Sequence, residues 1–318
     1  MDCTRAVTRA VADFATAHLP GRTEVCVGLS GGPDSLALTA GALRAGLTVR
    51  ALIVDHALQP GSDAVAANAA RTATGLGASA EILRVSVGTA GGMEAAAREA
   101  RYAALDAARD GMPVLLAHTM DDQAETVLLG LGRGSGARSL AGMRAWREPW
   151  GRPLLGVRRS QTVGACTELA LPAHADPHNR DPRFTRVRLR AEVIPLLDDV
   201  LHGGVVEALA RTATALQADV DALDDVADEI YSTSSRIGEH AELDVASVAD
   251  LPDAVRTRVV RRWLREVGAT EPTTRVIEAV DELLRGVRPG QVAIGGTPDH
   301  RLAVERTADG MRVTRLPR

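Results

Sequence analysis

Between the apolar run Val25-Cys26-Val27-Gly28-Leu29 and the helix-forming stretch Leu36-Ala37-Leu38 lies the loop Ser30-Gly31-Gly32-Pro33-Asp34-Ser35. The order is strand, tight glycine turn, helix start. Paired glycines let a backbone turn sharply and approach a ligand with no Cβ in the way. Ser30 and Ser35 add hydroxyls, and the N–H groups that open the next helix point back at the loop, which suits a phosphate. Ser and Asp are also ordinary helix caps, so a capped turn is the competing reading. Position favours the ligand. The loop follows the first strong strand, where open α/β sheets bind their ligands.

The pattern beyond the loop fixes the fold class. Val25–Leu29, Val49–Asp55, Ala80–Val85 and Val114–His118 read as strands, and Ser35–Arg44, Asp63–Leu76, Met93–Asp110 and Asp121–Leu131 as helices. The strands are continuous apolar runs, as expected when both sheet faces are covered. Alternation of this kind predicts an α/β fold with a parallel, doubly wound sheet. Residues 1–20 read as an amphipathic helix. The glycine-rich stretch 132–151 reads as a loop carrying Arg133, Pro153–Val157 as a strand, Gln161–Leu171 as a helix, and Val187–Leu197 as helical up to Pro195. A helix from about Val205 to Ile230 leads away. We place a boundary near residue 200, giving residues 1–200 as a catalytic domain and 201–318 as a linker helix with a smaller α+β domain. That smaller domain reads as helices 251–266 and 274–285 and strands 291–294, 300–305 and 311–315, with Asp309-Gly310 as a hairpin turn.

Composition excludes several chemistries. The chain has no lysine, so all 37 Lys+Arg residues are arginine. A Walker A loop, which ends Gly-Lys-Ser/Thr, is therefore excluded, as are a Schiff-base lysine and a lysine general base. The loop also departs from the spaced G-x-G-x-x-G of dinucleotide folds. Cys3, Cys26 and Cys166 are far apart in sequence, with no C-x-x-C, and form no disulfide, zinc or iron–sulfur framework. No apolar run reaches membrane-spanning length and the N-terminus lacks a signal-like apolar region, so a soluble, cytoplasmic protein with no membrane partner is expected. Net charge is −4, yet arginines cluster at Arg180, Arg183, Arg186, Arg188 and Arg190, and again from Arg256 to Arg265. Such patches bind phosphate backbones whatever the total charge. An acid-rich run from Asp219 to Glu229 supplies the alternative, solvated helix faces paired with acids.

Two further segments carry chemistry. The second strand ends Val54-Asp55-His56, which puts His56 beyond a parallel strand's carboxyl end. After the fourth strand comes His118-Thr119-Met120-Asp121-Asp122-Gln123-Ala124-Glu125-Thr126. On a helix, His118, Asp122 and Glu125 share one face, with Asp121 as a cap. One imidazole and two carboxylates there suit Mg²⁺, an ammonium or amine, or general-base work. On the helix before that strand, Glu94, Arg98 and Arg101 share a face. Without lysine, some arginine must neutralise a phosphate chain, and Arg98 is the candidate.

Together these segments resemble known proteins. Ser30–Ser35 matches the SGGxDS loop of the N-type ATP pyrophosphatase superfamily at every fixed position. The chain resembles the tRNA(Ile)-lysidine synthase family through that loop, Asp55-His56-Ala57-Leu58, Glu94 to Tyr102, His118 to Thr126, Arg133-Gly134-Ser135-Gly136, Leu140-Ala141-Gly142-Met143, Arg152-Pro153-Leu154-Leu155 and Asp176-Pro177-His178-Asn179. The arginine run Arg186 to Arg190 closes the match, which covers about residues 20–200. Departures include Ala57-Leu58-Gln59, where the family often has glycine and then Leu-Arg, and Val187, where Asn is common.

The resemblance implies a ligase that joins free L-lysine to C2 of the wobble cytidine of tRNA(Ile) with anticodon CAU. The C2 oxygen is adenylated by ATP, pyrophosphate leaves with help from Mg²⁺, and the lysine amine then displaces AMP. It implies that Ser30, Gly31, Gly32, Pro33, Asp34, Ser35 and His56 bind ATP. Asp34 would hold Mg²⁺, and Asp122 and Glu125 the lysine, with Arg98 near the carboxylate or phosphates. Arg133, Arg186 and Arg190 would bind tRNA. A homodimer is left open. Two alternatives stand beside it. A tRNA cytidine 2-thiolation enzyme needs a cysteine pair or cluster near the site, whereas Cys26 lies inside a strand and Cys166 is alone. A nucleotide-binding module that turns nothing over would leave the acidic face idle.

Overall fold

The structure, a computed structural model, describes residues 2–57, 61–86, 93–134, 136–174, 176, 181–236, 242–270, 272–296, 299–308 and 310–317. Leu58, Gln59, Ser135, Pro177-His178-Asn179, Arg180, Asp309 and the side chain of Glu94 therefore lie outside the described residues. The chain forms two compact units, Met1–Gln217 and Ala218–Arg318. The boundary read near residue 200 precedes a long helix, Val205–Ser234, and the division falls within that helix.

In the first unit α1 (Cys3–His18) precedes the alternation β1 (Glu24–Gly28), α2 (Pro33–Arg44), β2 (Thr48–Asp55), α3 (Ser62–Leu76), β3 (Ser79–Arg84), α4 (Met93–Ala108), β4 (Val114–Leu115) and α5 (Met120–Gly132). A short α6 (Ala137–Leu140) and strands β5 (Trp146–Arg147) and β6 (Trp150–Gly151) follow, then α7 (Arg159–Glu168). The sheet order is β3-β2-β1-β4-β6-β5, parallel except for the β5–β6 pair. Chain direction across the sheet reverses beside β1, which makes the end of β1 the crevice where such sheets bind ligands.

The strands read as unbroken apolar runs because each serves two cores. Val25, Val27, Ala51 and Ile53 pack with residues of α1, α2, α3 and α7 on one face. Cys26 and Leu52 turn to the other face, against Leu105, Val114 and Leu116. Gly151 has no room for a side chain: a Cβ there would lie 2.6 Å from Phe14 Cζ.

Two local expectations fail. Pro153–Val157 is a turn, not a strand, and the strand is Trp150–Gly151. Pro153 has no N–H to give a ladder, and Leu154 is apolar because it is fully buried in the core. The helix read as ending at Pro195 continues. A short α8 (Thr185–Arg188) runs through a π turn (Leu189–Val193) into α9 (Ile194–Val200). Pro195 is the second residue of α9, directly after the π turn, and the helix passes through it. The stretch 132–151, read as loop, holds α6 and the β5–β6 hairpin.

The long helix is α10 (Val205–Ser234). In the second unit β7 (Ser235–Arg236), β8 (Glu242–Leu243), α11 (Val245–Val248), α12 (Asp253–Glu266), α13 (Thr274–Leu284), β9 (Gln291–Gly296), β10 (His300–Arg306) and β11 (Met311–Pro317) follow in order. Its antiparallel sheet has the order β7-β8-β11-β10-β9, and Trp263, Leu264, Val280, Leu284, Val304 and Met311 form its core. Among the described residues no helix is long and apolar enough to cross a membrane.

The arginine cluster on α12 is largely matched by acids of its own unit. Arg258 pairs with Asp224 at 2.9 Å and Arg262 with Asp228 at 3.8 Å. Arg256 is buried and donates from Nε to Asp281 Oδ1 at 2.6 Å, from Nη2 to Asp281 Oδ2 at 3.2 Å, and to the Ala249 and Leu251 carbonyls. Removing one partner of a buried pair strands the other charge, at a cost of about 3–5 kcal/mol. Arg256→Ala is expected to lower the unfolding free energy of this unit by that order in chemical denaturation. An RNA-contact role would instead lower tRNA affinity and leave stability unchanged.

Candidate active site

The loop after β1 is built as a cradle. Gly32 is the N-cap of α2 and Pro33 opens the helix. Gly31 has φ +82°, a conformation that other residues rarely adopt, and a Cβ there would lie 3.3 Å from Ala69 Cβ. Buried Ser35 donates from Oγ to Gly32 O at 3.0 Å and accepts from Ser30 N–H at 3.2 Å, while the two serine hydroxyls lie 3.1 Å apart. The His174 N–H donates to Gly31 O at 2.9 Å. The loop is thus tied at both ends before any phosphate arrives.

A cavity of about 1010 Å³ opens on it, large enough for a nucleotide with a second small molecule. Ser30, Gly32, Pro33, Asp34, Ser35 and His56 line it, as do His118 and Asp122 from the far side of β1. Arg101, Arg159 and Arg190 also line it. Loop and carboxylate therefore face one cavity.

Thr119, not Asp121, caps α5. Thr119 and Asp122 form a capping box: Asp122 Oδ2 accepts the Thr119 N–H and hydroxyl, each at 2.8 Å. This arrangement satisfies two backbone donors at the helix start. Asp121 turns instead to α7, where it accepts the Arg159 N–H at 2.8 Å and the Arg158 guanidinium. Arg158 also pairs with Glu207. His118 precedes the helix and reaches the cavity from its approach.

The three acids named from sequence meet at one arginine that sequence reading did not name. Arg159 donates from Nε to Asp34 Oδ2 at 3.2 Å and from Nη2 to Asp122 Oδ1 at 2.6 Å, and its Nη1 lies 3.6 Å from Glu125 Oε1. Thr162, one turn along α7, donates its hydroxyl to Asp34 Oδ1. Glu125 has no exposure to solvent. Its Oε1 accepts from Arg190 at 2.8 Å and its Oε2 lies 3.5 Å from Arg186 Nη1. Arg186 and Arg190, expected at an RNA surface, thus both close on Glu125, and Arg190 reaches the cavity. Arg133, by contrast, is exposed at the C-terminal end of α5.

Arg98 is exposed on α4, its Cζ 5.0 Å from the centre of the Tyr102 ring. Tyr102 meets Trp150 edge-on. The α4 arginine lining the cavity is Arg101, one helical turn further on. A signal for Arg158 and Arg159 does exist in the sequence. Two arginines at a helix start oppose the helix dipole and need acids to hold them.

Environment sorts the titrating groups. Burial pushes His118 down to about 3 against the pull of Asp122, so it is neutral at pH 7. For Asp122 burial works the other way, but Arg159, the Thr119 donors and His118 outweigh it and hold the carboxyl below its usual range. Burial raises Asp34, with Arg159 and Thr162 opposing. His56 is lowered, by burial and then by Arg101. Cys166 lines the cavity and donates to Pro33 O at 3.3 Å, and burial pushes its thiol up to about 11. Cys26 is raised to about 11 in the same way. Cys3 is raised as well, so no cysteine of the chain has the lowered pKa of an activated thiolate. Among the described residues no three His, Cys, Asp or Glu side chains are grouped to hold a metal ion. Asp34 is the loop carboxylate that lines the cavity and so the candidate for Mg²⁺, with Oδ1 accepting from Thr162 and Oδ2 from Arg159 in this ligand-free state.

A doubly wound sheet whose first loop cradles phosphate beside buried acids defines a PP-loop ATP-binding domain. A family model described as a PP-loop domain matches residues 3–197, and one described as the TilS substrate binding domain matches residues 243–307. The chain is 56% identical over 313 residues to a tRNA(Ile)-lysidine synthase of Nocardia farcinica, covering 97% of this chain and 98% of that protein. It is 58% identical over 311 residues to that of Mycobacterium bovis, covering 96% of each. The chain belongs to the tRNA(Ile)-lysidine synthase family. Among solved structures, the U34-tRNA thiolase NcsA from Methanococcus maripaludis aligns with a TM-score of 0.53 at 17% identity, covering 67% of this chain and 79% of that one. That likeness concerns the fold.

The half-buried imidazole, its Nδ1 shut off from solvent, gives a pH signature. Native His118 takes up its proton only near pH 3, whereas the unfolded chain does so near its ordinary 6.5. Between these values the unfolded state holds more protons, so this contribution is whole above pH 6.5 and is lost as pH falls toward 3. His118→Gln is expected to flatten the fall in unfolding free energy across that window, read by urea unfolding at stepped pH. An unchanged slope would place the titrating group elsewhere.

Proposed function

We propose that the protein ligates free L-lysine to C2 of the wobble cytidine of tRNA(Ile) with a CAU anticodon, consuming ATP and releasing AMP and pyrophosphate. One observation carries the reading: the phosphate cradle and Asp122 open on a single cavity, with Glu125 buried directly behind. The reaction needs both functions within reach of one base. In its first half the C2 oxygen attacks the α-phosphate of ATP and pyrophosphate leaves. In its second half the lysine amine attacks C2, the C2–oxygen bond breaks, and AMP departs.

Residue roles follow from position. Backbone N–H groups of Gly31 and Gly32 with the Ser30 and Ser35 hydroxyls meet the charge that builds on the leaving pyrophosphate. His56 contacts the nucleotide from the end of β2. Asp34 holds Mg²⁺, which neutralises phosphate charge when bound. Asp122 and Glu125 receive an ammonium of lysine, and neutral His118 beside them adds no competing positive charge. Arg98, exposed on α4, is kept for the lysine carboxylate or the phosphates. Arg133 and Arg186 carry tRNA phosphates, and Arg190 serves that role or the cavity itself. The second unit holds the tRNA, in the cytoplasm. A homodimer is left open by the sequence, and light scattering decides it.

The test is incorporation of labelled lysine into a CAU-anticodon transcript with ATP and Mg²⁺. Incorporation with stoichiometric AMP is expected. Release of AMP with another RNA or another amine, and none with lysine and this transcript, sinks the reading. Asp34→Ala is expected to abolish AMP formation. Asp122→Asn is expected to raise the lysine KM by about ten- to a hundredfold, the loss of one charge-assisted pair, with a smaller effect on the KM for ATP. An unchanged lysine KM would remove Asp122 from that role.

A further inference from the structure

One guanidinium stands where the proposed second substrate has to go. Of the two Asp122 oxygens, Oδ2 is taken by the Thr119 N–H and hydroxyl, and Oδ1 by Arg159 Nη2 at 2.6 Å. An ammonium arriving at Asp122 therefore competes with Arg159 for Oδ1. The same side chain holds Asp34 and approaches Glu125.

The network is also incomplete in an informative way. Glu125 Oε2 and Arg159 Nη1 are both buried and have no hydrogen-bond partner. Buried polar atoms are nearly always satisfied. Each has only a longer ion-pair neighbour: Arg186 Nη1 lies 3.5 Å from Glu125 Oε2, and Glu125 Oε1 lies 3.6 Å from Arg159 Nη1. The ligand set that completes both brings an ammonium to the acids and an anionic oxygen to the arginine.

Charge balance says the same. In the ligand-free cluster Asp34, Asp122 and Glu125 face Arg159, Arg186 and Arg190. These are three charges of each sign. A further ammonium with Arg159 still in place leaves one uncompensated cation in a partly buried site, which is unfavourable. A triphosphate on the loop side of the same cavity gives Arg159 another partner. The backbone need not move. Asp121 fixes the Arg159 N–H at the start of α7, and only the side chain has to turn.

We propose that Arg159 gates the two small substrates: in the empty cavity it occupies the ammonium seat at Asp122 and Glu125, and ATP phosphates draw it off and open that seat. The inference rests on the reading of Asp122 and Glu125 as ammonium ligands. Its consequence is positive coupling, ATP tightening lysine and lysine tightening ATP by the same factor.

The test titrates L-lysine calorimetrically into the full chain with Mg²⁺, with and without α,β-methylene-ATP, which cannot be cut between those phosphates. In the wild type the analogue is expected to tighten lysine by about tenfold, within the usual range of such couplings. Arg159→Gln is expected to bind lysine without nucleotide nearly as tightly as the wild type does with it, and to show less than about a twofold response to the analogue. Arg159→Lys, which keeps a cation but not the bridging fork, is expected to lie between. Lysine binding that ignores the analogue in the wild type overturns the gate alone. So does wild-type coupling in whichever variant folds, judged by its thermal transition. Lysine binding under neither condition overturns the gate together with the reading beneath it.

Discussion

A carboxylate with no exposure to solvent has to be paired, because an isolated buried charge costs far more than a fold can supply. Glu125 sets that requirement, and much of the first unit is arranged to meet it. Arg190 reaches it from the π turn after α8, Arg186 from α8 and Arg159 from α7. Through Arg159 the same cluster takes in Asp34 at the start of α2 and Asp122 at the start of α5. Elements distant in sequence are therefore registered to one another by charge as well as by core packing. The sheet makes this possible. With β4 beside β1, the helix that follows β4 begins next to the loop that follows β1.

Arginine is suited to that cluster in a way lysine is not. A guanidinium presents donors in a rigid planar fork and bridges several carboxylates at once, whereas an ammonium is a compact point charge. Arg159 touches three acids with three different nitrogens, and Arg256 in the second unit reaches two acids and two carbonyls. A chain without lysine thus acquires multiply bridged charge networks. The π turn contributes as well. Such turns widen the helix locally and often mark functional sites, and this one carries Arg190.

The parts legible in sequence are those whose signal is local. Ser30–Ser35 is one turn of chain, its conformation dictated by its own glycines. The continuous apolar strands announce two covered faces. Asp122 and Glu125 sit on one helix, so spacing alone puts them together. Arg159 and Thr162 are joined to Asp34 across more than a hundred residues by the tertiary fold, and no spacing reveals that. That Arg101 of α4 lines the ligand-free cavity is hidden from sequence for a related reason. Arg98 and Arg101 lie on one broad helix face, both beside the Tyr102 ring, and spacing does not separate them. Pro153 and Pro195 misled in opposite directions. Apolar character at Leu154 reflects burial in a turn rather than a strand, and Pro195 sits where a helix tolerates proline.

Beside the acids, His118 is the group whose state shapes the chemistry most. Asp122 lies close enough to pull it toward protonation, yet burial and the nearby Arg152 and Arg101 win, and it stays neutral. Were it cationic, the cavity wall at Asp122 would carry one more positive charge and would repel an amine substrate. The same burial that keeps the imidazole neutral strengthens the attraction between Asp122 and Arg159, since charges interact more strongly where water is excluded. Neutral histidine and paired arginine thus share one partly buried wall of the cavity. On the proposed reading, a ligand that displaces the arginine has to offer a charge of its own in return, which an ammonium does and a neutral competitor of similar shape does not.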